Sequence, residues 1–316
     1  MLDVKRLKVL REVARSGSFS AAAEELGYTQ PAISQQISAL EREAGTRLLQ
    51  RGARGVTLTD AGRSLVDHSD AILARLAAAE EELEAIAGLR GGRLRLASFP
   101  TAGATLVPLA IAMFSDRHPD VELSLIEAEP EDALPRLRAG DLDVALTFEY
   151  SSLPGSVHEP LNDEVELVHL LDDPMYVALP RSHPLARKRG LKLEELADEN
   201  WILGTTGSCP DASIFLRSCQ LAGFEPRIAF NSDDYFAMQG FVAAGVGASF
   251  IPDLALMSVR EDIIVRSLGP RPPVRQIMAA TLKDSFLSPA KQAMLDVLVE
   301  VGEEFAGKHR GLALAS

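Results

Sequence analysis

The chain has little cysteine and few aromatic residues. Cys209 and Cys219 are its two cysteines among 316 residues, and Phe, Trp and Tyr together make up 5%. Two thiols cannot staple a disulfide scaffold, and they suit a reducing compartment. No apolar run approaches the ~20 residues that span a bilayer. The N-terminal residues alternate charged and apolar side chains and lack the apolar stretch of a secretory signal. We therefore expect a soluble cytoplasmic protein.

The motifs of common enzyme classes are also missing from the sequence. It contains no HExxH, GxSxG or P-loop spacing. The six histidines are dispersed, and none stands at metal-ligand spacing from another histidine or cysteine. Gly245-Val246-Gly247 is too short for a dinucleotide-binding fingerprint. We predict that the protein is not an enzyme and uses no metal or cofactor.

Negative charge dominates the chain but is unevenly distributed. The formal net charge is −13, yet residues 1–66 contain ten Lys/Arg and seven Asp/Glu. The remainder contains 22 Lys/Arg and 38 Asp/Glu. A basic head on an acidic body can approach phosphates with one end only, although ordinary surface variation would give a similar imbalance.

Short helices are predicted within the basic head. Apolar residues at helical spacing indicate a first helix, which Ser16-Gly17-Ser18 ends. Ser20 is a candidate cap for a second helix over residues 21–26, and Gly27 supplies the turn after it.

The third helix is predicted from about residue 30 to residue 44. Thr29 is its candidate cap, and its buried stripe is Ile33, Ile37 and Leu40. Polar residues fall on its other faces: Gln30, Ser34, Gln35 and Ser38. Two short helices joined by a glycine turn, the second polar on its exposed side, are typical of a helix-turn-helix. A small helical bundle with a solvated polar face is the alternative.

A tight hairpin is predicted over residues 51–59. Its glycines allow the turn, and Arg51 and Arg54 would point toward solvent. Beside a recognition helix, such a wing places guanidinium groups on phosphate oxygens. Simple surface solubility is the alternative explanation for these arginines.

These residues together resemble a known family. The segment SFSAAAEELGYTQPAISQQISALEREAGTRLLQRGARGVTLTDAG resembles the winged helix-turn-helix of LysR-type transcriptional regulators. The family usually has Phe at the position of Leu49, where Leu still fills an apolar slot. The resemblance implies a winged helix-turn-helix over residues 1–58, with its motif at about 19–38. The predicted contacts to double-stranded DNA are Thr29, Gln30, Pro31, Ser34, Gln35, Ser38, Arg51 and Arg54.

A long helix is predicted to follow, capped by Thr59 and running to about Ala87 within a linker over residues 59–90. Apolar residues recur along it in two heptad seams, formed by Leu65, Ile72, Ala79 and Ile86 and by Leu76 and Leu83. This pattern predicts a dimerising helix, and a helix packed on its own domain is the alternative. Three glycines between Gly88 and Gly92 indicate a hinge or domain boundary.

The remaining two-thirds alternate strands and helices. We predict strands at about 93–97, 121–126, 142–147, 175–179, 201–203, 227–230 and 248–251. This order implies an α/β domain with a mostly parallel sheet and helices on both faces.

The same region resembles the effector-binding domain of the LysR family, through segments such as LRAGDLDVALT and VAAGVGASFIP. The resemblance implies an α/β multidomain protein, whose effector domain over residues 91–304 forms two periplasmic-binding-protein-like lobes. Lobe one would comprise 91–165 and 268–304, and lobe two 166–267, with crossings near Val165 and Leu268. A C-terminal tail would follow over 305–316.

A small-molecule effector is expected in the cleft between the lobes. Ligands of open α/β sheets bind beyond the carboxyl ends of the strands, where helix N-termini suit a carboxylate or another anion. The candidate residues are Ser98, Thr101, Glu127, Thr147, Leu203, Gly204, Thr205 and Asn231. Glu127 would argue against a purely anionic effector if it faces the cleft. A cap or turn role is the alternative for each Ser and Thr.

We therefore predict a sequence-specific LysR-type regulator that is controlled by an effector and forms a dimer or, by resemblance, a tetramer. RNA polymerase is a further candidate partner. One alternative is a thiol-based redox sensor that uses Cys209 and Cys219. The other is an exported solute-binding protein, which the missing signal peptide and the DNA-binding head oppose.

Overall fold

The computed structural model describes residues 2–52, 55–86, 92–150, 164–188, 190–204, 210–269, 272–283 and 287–313. The helices are α1 (Val4–Ser16), α2 (Phe19–Glu25), α3 (Gln30–Ala44), α4 (Asp60–Ile86), α5 (Pro100–Arg117), α6 (Pro130–Arg138), α7 (Pro210–Leu221), α8 (Tyr235–Ala243) and α9 (Pro289–Ala313). The strands are β1 (Leu49–Gly52), β2 (Gly55–Leu58), β3 (Arg93–Ser98), β4 (Glu122–Glu127), β5 (Val144–Tyr150), β6 (Val165–Pro180), β7 (Asn200–Leu203), β8 (Arg227–Asn231), β9 (Ala248–Pro252), β10 (Ile263–Ser267) and β11 (Val274–Leu282).

The chain divides into two compact units. The first is built chiefly from α1 to α4 with the β1–β2 hairpin, and the second contains the large sheet and the helices packed on it. No helix among the described residues is long and apolar enough to cross a membrane.

The first three helices share a small apolar core. Leu10 of α1 and Ile33 and Leu40 of α3 are fully buried in it. Thr29 caps α3 as predicted, and its Oγ1 accepts a hydrogen bond from the backbone N–H of Ala32. The predicted cap of α2 was wrong. The helix begins two residues earlier than its expected start, so Ser18 and not Ser20 accepts from the N–H of Ala21.

The hairpin follows α3 directly. β1 and β2 pair antiparallel, with Leu49 opposite Leu58 and Arg51 opposite Val56. Leu49 is 7% exposed and packs in the core of the first three helices, which confirms that it fills an apolar slot.

The long helix α4 begins with the predicted cap, since Thr59 Oγ1 accepts from the N–H of Gly62 at 3.0 Å. Three apolar side chains of the predicted seams, Ile72, Leu76 and Leu83, are 42%, 43% and 66% exposed. The stretch around the predicted hinge, residues 87–91, lies outside the described residues.

The second unit is built on a nine-stranded sheet in the order β4-β3-β5-β11-β6-β9-β7-β8, with β10 also paired to β6. The sheet is mixed, so the prediction of a mostly parallel sheet was wrong. β3, β4 and β5 are parallel to one another, as are β7, β8 and β9. The pairs that join these two groups, β5–β11, β11–β6 and β6–β9, are antiparallel.

One long strand connects the two parallel groups. Residues 165–174 of β6 pair with β11, and residues 175–180 pair with β9 and β10. The change of partner falls at Pro174 and Met175. Apolar cores lie on both faces of the sheet, one with α5, α7 and α9 and the other with α8.

Candidate DNA interface and ligand cavity

Helix α3 presents a polar side opposite its buried stripe. Ile33, Ile37 and Leu40 are at most 3% exposed and fix which face of the helix meets the core. Gln30, Pro31, Gln35 and Ser38 are exposed, and Ser34 is half-buried. The Ser38 hydroxyl donates to the backbone oxygen of Ser34 at 2.9 Å. The exposed amide and hydroxyl groups on this side are those that read base edges in a major groove.

The next glutamine along α3 is engaged by the first helix. Gln36 Oε1 accepts a hydrogen bond from Arg6 Nε at 3.2 Å, and the same arginine forms an ion pair with Glu43. Gln35 and Gln36 are therefore adjacent in sequence but differ in their surroundings, because no protein partner holds the Gln35 side chain among the described contacts.

The hairpin is tied to the end of α3. Glu41 Oε1 accepts hydrogen bonds from the backbone N–H groups of Leu48 and Leu49, at 2.9 and 3.3 Å. The N–H of Val56 donates to the carbonyl of Gly17, which joins β2 to the turn after α1. Arg51 lies in β1, and Arg54 lies outside the described residues.

The second unit contains a cavity of about 760 Å³. Its lining comes from the carboxyl end of β4, the first turn of α5, the start of α8 and the 3₁₀ segment Asp253–Ser258. The lining residues are Pro100, Thr101, Ala104, Thr105, Glu127, Glu129, Ser232, Asp233, Asp234, Tyr235, Phe236, Gln239, Leu254, Ala255, Met257 and Ser258. This volume suits a small organic molecule.

Two lining residues also organise the cavity wall. Asp234 caps α8, because its Oδ1 accepts from the N–H groups of Phe236 and Ala237 at 2.7 and 3.3 Å. Gln239 is buried, and its Oε1 accepts from the N–H of Arg260 at 3.0 Å. The loop between β8 and α8 therefore has a defined conformation at the cavity.

A buried ion pair lies beside the cavity. Arg275 and Asp173 are 1% and 0% exposed, and Arg275 Nε donates to Asp173 Oδ2 at 2.9 Å. Arg275 Nη2 also donates to Thr101 Oγ1 at 3.2 Å. The guanidinium carbon lies 5.5 and 4.9 Å from the ring centres of Phe99 and Phe148. The ion pair with Asp173 and the two aromatic faces together offset the free-energy cost of burying this cation.

The same ion pair supports the cavity wall. Asp173 Oδ1 accepts from the N–H of Leu254, the second residue of the 3₁₀ segment. Arg275 itself lines a smaller adjoining cavity with Thr101 and Tyr235. Sequence reasoning missed Arg275, Asp173 and the β8–α8 loop, since nothing in the sequence marks a charged residue of a strand as part of a site.

The predicted effector residues are distributed unevenly around this cavity. Thr101 and Glu127 line it. Ser98, Thr147 and Leu203 are 1%, 1% and 3% exposed and are not among its lining residues.

The other predicted effector residues belong to the strand ends of β7 and β8. Asn231 Nδ2 donates to the carbonyl of Gly204 at 3.2 Å, which ties these two ends together. Thr205 lies outside the described residues.

Neither a metal centre nor a reactive thiol is present among the described residues. They hold no cluster of three His, Cys, Asp or Glu side chains that could bind a metal ion. Cys219 is fully buried, and burial raises the pKa of its thiol to about 12, which disfavours the reactive thiolate. Cys209 lies outside the described part of the chain.

Comparison with known proteins matches both units. Residues 4–63 match the family described as bacterial regulatory helix-turn-helix protein, lysR family, and residues 87–303 match the LysR substrate binding domain. A probable HTH-type transcriptional regulator, LrrA of Synechococcus elongatus, is 32% identical over 96% of this chain and 98% of its own.

Solved structures agree with this assignment. The crystal structure of CbnR, a LysR family transcriptional regulator, is 26% identical and covers 95% of this chain and 99% of its own, with a TM-score of 0.62. Full-length CbnR in complex with its target DNA is similar with a TM-score of 0.54, at 26% identity and with coverage of 95% and 100%.

A winged helix-turn-helix joined to a two-lobed α/β domain with a ligand-sized cavity defines an effector-responsive, DNA-binding regulator. The chain belongs to the LysR family of transcriptional regulators. This membership confirms the predicted family and fold class, and it favours the effector-controlled regulator over the thiol sensor and the solute-binding protein.

Proposed function

We propose that the exposed side of α3 enters the major groove of duplex DNA and reads base edges there. The observation that carries this proposal is the geometry of α3. Gln30 and Gln35 lie on its open side, while the opposite stripe is locked in the core. A glutamine amide can form a two-pronged contact with adenine. Thr29, Pro31, Ser34 and Ser38 complete the proposed contact surface.

The hairpin is proposed to hold the phosphate backbone. Glu41 and the Val56–Gly17 hydrogen bond fix the hairpin beside α3, so that its arginines would reach the flanking strand. Arg51 and Arg54 are the cations proposed for this role, which positions the protein without reading sequence.

Ligand control is proposed to act through the 760 Å³ cavity, with Thr101 and Glu127 among its ligand contacts. A ligand can shift a regulator between two states only if it binds them with unequal affinity. Since the cavity is lined by β4, α5, α8 and the 3₁₀ segment, a bound molecule would bridge both parallel strand groups and favour one arrangement of them.

The regulator is proposed to act as at least a dimer through α4. Ile72 and Leu76 are four residues apart and Leu83 follows seven residues later, which is heptad spacing, and all three are exposed in one chain. Two recognition helices held together would read a two-part site.

The variant Gln35→Ala tests the DNA interface. We expect base preference to relax at particular operator positions by about 1–3 kcal/mol, because the two-pronged contact is lost. The measurement is binding of the full chain to a randomised library built on its own upstream DNA.

Gln36→Ala is the matched control, since that glutamine bonds to Arg6. The control should keep the original base preference. A Gln35→Ala protein that selects the same sequences as the unchanged protein would remove α3 from the proposed reading role.

A further inference from the structure

The first compact unit includes a short segment of the effector domain. Residues 135–142 cluster with residues 1–89, although they lie within the match to the LysR substrate binding domain at 87–303. The segment comprises the end of α6 and the turn that follows it, Ala139, Gly140 and Asp141, which we call the docking turn. Part of the effector domain sequence therefore packs with the helices of the DNA-binding unit.

Arg11 of α1 binds the docking turn at two points. Its Nη1 donates to the carbonyl oxygen of Ala139 at 3.1 Å, and its Nη2 donates to Asp141 Oδ1 at 2.9 Å. The Arg11 side chain is 20% exposed, so salt screens this ion pair less than one on the open surface. A guanidinium that makes two hydrogen bonds also fixes the direction of its partner. The turn is therefore held in one orientation on α1.

Gly140 brings the docking turn against the linker helix α4. Its φ is +72°, and a Cβ built on it would lie 2.8 Å from the Cα of Ala74. The left-handed backbone and the close approach both favour glycine at this position. Ala139 is 5% exposed, and Leu142, just beyond the turn, is 4% exposed. The turn is therefore seated against the backbone of α4 as well as on α1.

Helix α6 joins the docking turn to the wall of the cavity. Glu127 and Glu129 line the cavity, and α6 starts at the next residue, Pro130. The helix ends at Arg138, directly before the turn. One helix of nine residues thus separates a cavity wall from a contact with the DNA-binding unit. A rigid element of this kind can carry energetic coupling from one end to the other.

We propose that the docking turn is a regulatory contact, through which the state of the cavity sets the operator affinity of the DNA-binding unit. The seated turn limits the arrangements that this unit samples. Once the turn is released, the unit samples more of them, and ordering it on a two-part site costs more conformational entropy. Ligand control of the contact rests on the proposed role of the cavity as the effector site, whereas the contact itself acts without ligand.

Asp141→Ala and Arg11→Met test the contact in the full-length protein without ligand. Each variant releases the turn and should weaken binding to the protein's own upstream DNA, measured by fluorescence anisotropy, by about three- to tenfold. The double variant should bind no more weakly than either single variant, because both remove the same contact. The sign of the Asp141→Ala effect is decisive, since removing a negative charge would otherwise strengthen binding to DNA. Asp116→Ala removes the same charge from an exposed position of α5 and should not weaken binding.

A variant without any change of charge tests the same contact from the side of α4. Ala74→Leu adds bulk where Gly140 approaches the helix, and it should weaken operator binding to the same extent. Ala71→Leu, at an exposed position of α4, is the matched control and should not. Amide hydrogen exchange of residues 139–142 shows whether each variant has released the turn, because exchange quickens when a segment loses its packing.

The outcomes separate this inference from the proposed function. Faster exchange in the turn with unchanged or tighter operator binding would overturn the regulatory contact and leave the cavity and α3 in their proposed roles. Exchange that neither Arg11→Met nor Asp141→Ala quickens would show that Arg11 does not hold the turn, and effects that multiply in the double variant would equally contradict a shared contact. An unsubstituted protein that fails to bind its upstream DNA would refute the proposed function itself.

Discussion

Asp70 is a carboxylate placed where ionisation is costly. It lies on α4, and burial raises its pKa to about 6. Arg11 opposes this effect, but its Nη1 remains 4.0 Å from Asp70 Oδ1. That oxygen is buried without a hydrogen-bond partner among the described residues. The folded chain therefore binds a proton at Asp70 more tightly than the unfolded chain, whose aspartate has a pKa near 3.8.

This shift predicts how Asp70→Asn changes the pH dependence of stability. The stabilisation that a protonated Asp70 provides is complete below about pH 4 and is lost as the pH rises through about 6. Asn carries no charge, so the variant should match the unchanged protein at pH 4 and exceed it above pH 7. Because Asp70 is partly exposed, we expect a gain of about 1 kcal/mol.

Urea denaturation of the full chain between pH 4 and pH 8 measures this difference. Asp116→Asn, an exposed change on α5, is the control and should show none. Stability curves that run parallel for Asp70→Asn and the unchanged protein would contradict the assigned burial cost.

Only some of the residues that line the cavity could be predicted from the sequence. Thr101 and Glu127 were found because they follow strands at the ligand-binding edge of an α/β sheet. Ser98 and Thr147 occupy equivalent positions, but both are buried. Successive side chains of a strand point to opposite faces, so a shift of one residue moves a side chain from the core to the cleft. The sequence does not fix this register at a strand end.

At the scale of elements, the junction between hairpin and linker depends on one close approach. A Cβ built on Gly62 would lie 2.0 Å from the carbonyl oxygen of Leu48. The same carbonyl accepts the N–H of Thr59, whose hydroxyl caps α4. The first turn of α4 is therefore pressed against β1, and only a residue without a side chain fits there.

Gly62→Ala should destabilise the DNA-binding unit by about 1–3 kcal/mol or more, because backbone must move to relieve the overlap. Thermal unfolding and operator affinity both measure this effect. Gly240→Ala is the matched control, since Gly240 is also helical and has open space around its Cβ position. The control should be neutral or slightly stabilising. Equal melting temperatures for Gly62→Ala and Gly240→Ala would refute the tight junction.

The elements themselves were predictable where local signals are strong. Thr29 and Thr59 were identified as caps because a hydroxyl residue precedes each helical pattern. Ser18 and Ser20 both satisfy that rule, and only the packing of Phe19 against the core decides for Ser18. The length of β6 was underestimated, because its first half, Val165–Asp173, carries charged residues that interrupt any regular strand pattern.

At the scale of the whole molecule, the resemblance of its motif segments predicted the family, whereas the order of the strands in the sheet could not be predicted from periodicity. Alternating strands and helices indicate parallel pairing, which holds within each group of three strands. The antiparallel β6 and β11 join these groups by long-range pairing, and no local pattern encodes such partners. The exposed apolar side chains of α4 likewise fit the proposed pairing with a second copy, which no pattern within one chain shows directly.

Leu76→Glu tests the proposed assembly through α4. Leu76 lies in the middle of the apolar seam, between Ile72 and Leu83, and is 43% exposed in a single chain. In a paired helix the substitution loses apolar burial and buries a charge in each copy. We expect the dissociation constant of the dimer to rise by at least about 100-fold. Sedimentation velocity over a range of protein concentrations measures the dissociation constant.

Ala71→Glu introduces the same charge on another face of α4, where Ala71 is exposed, and should leave assembly unchanged. Operator binding should follow assembly, because a single head holds only half of a two-part site. A Leu76→Glu protein that still sediments as the unchanged protein does would show that this seam is not the contact between copies. If Ala71→Glu also dissociated the protein, the general charge of the helix and not its apolar seam would govern assembly.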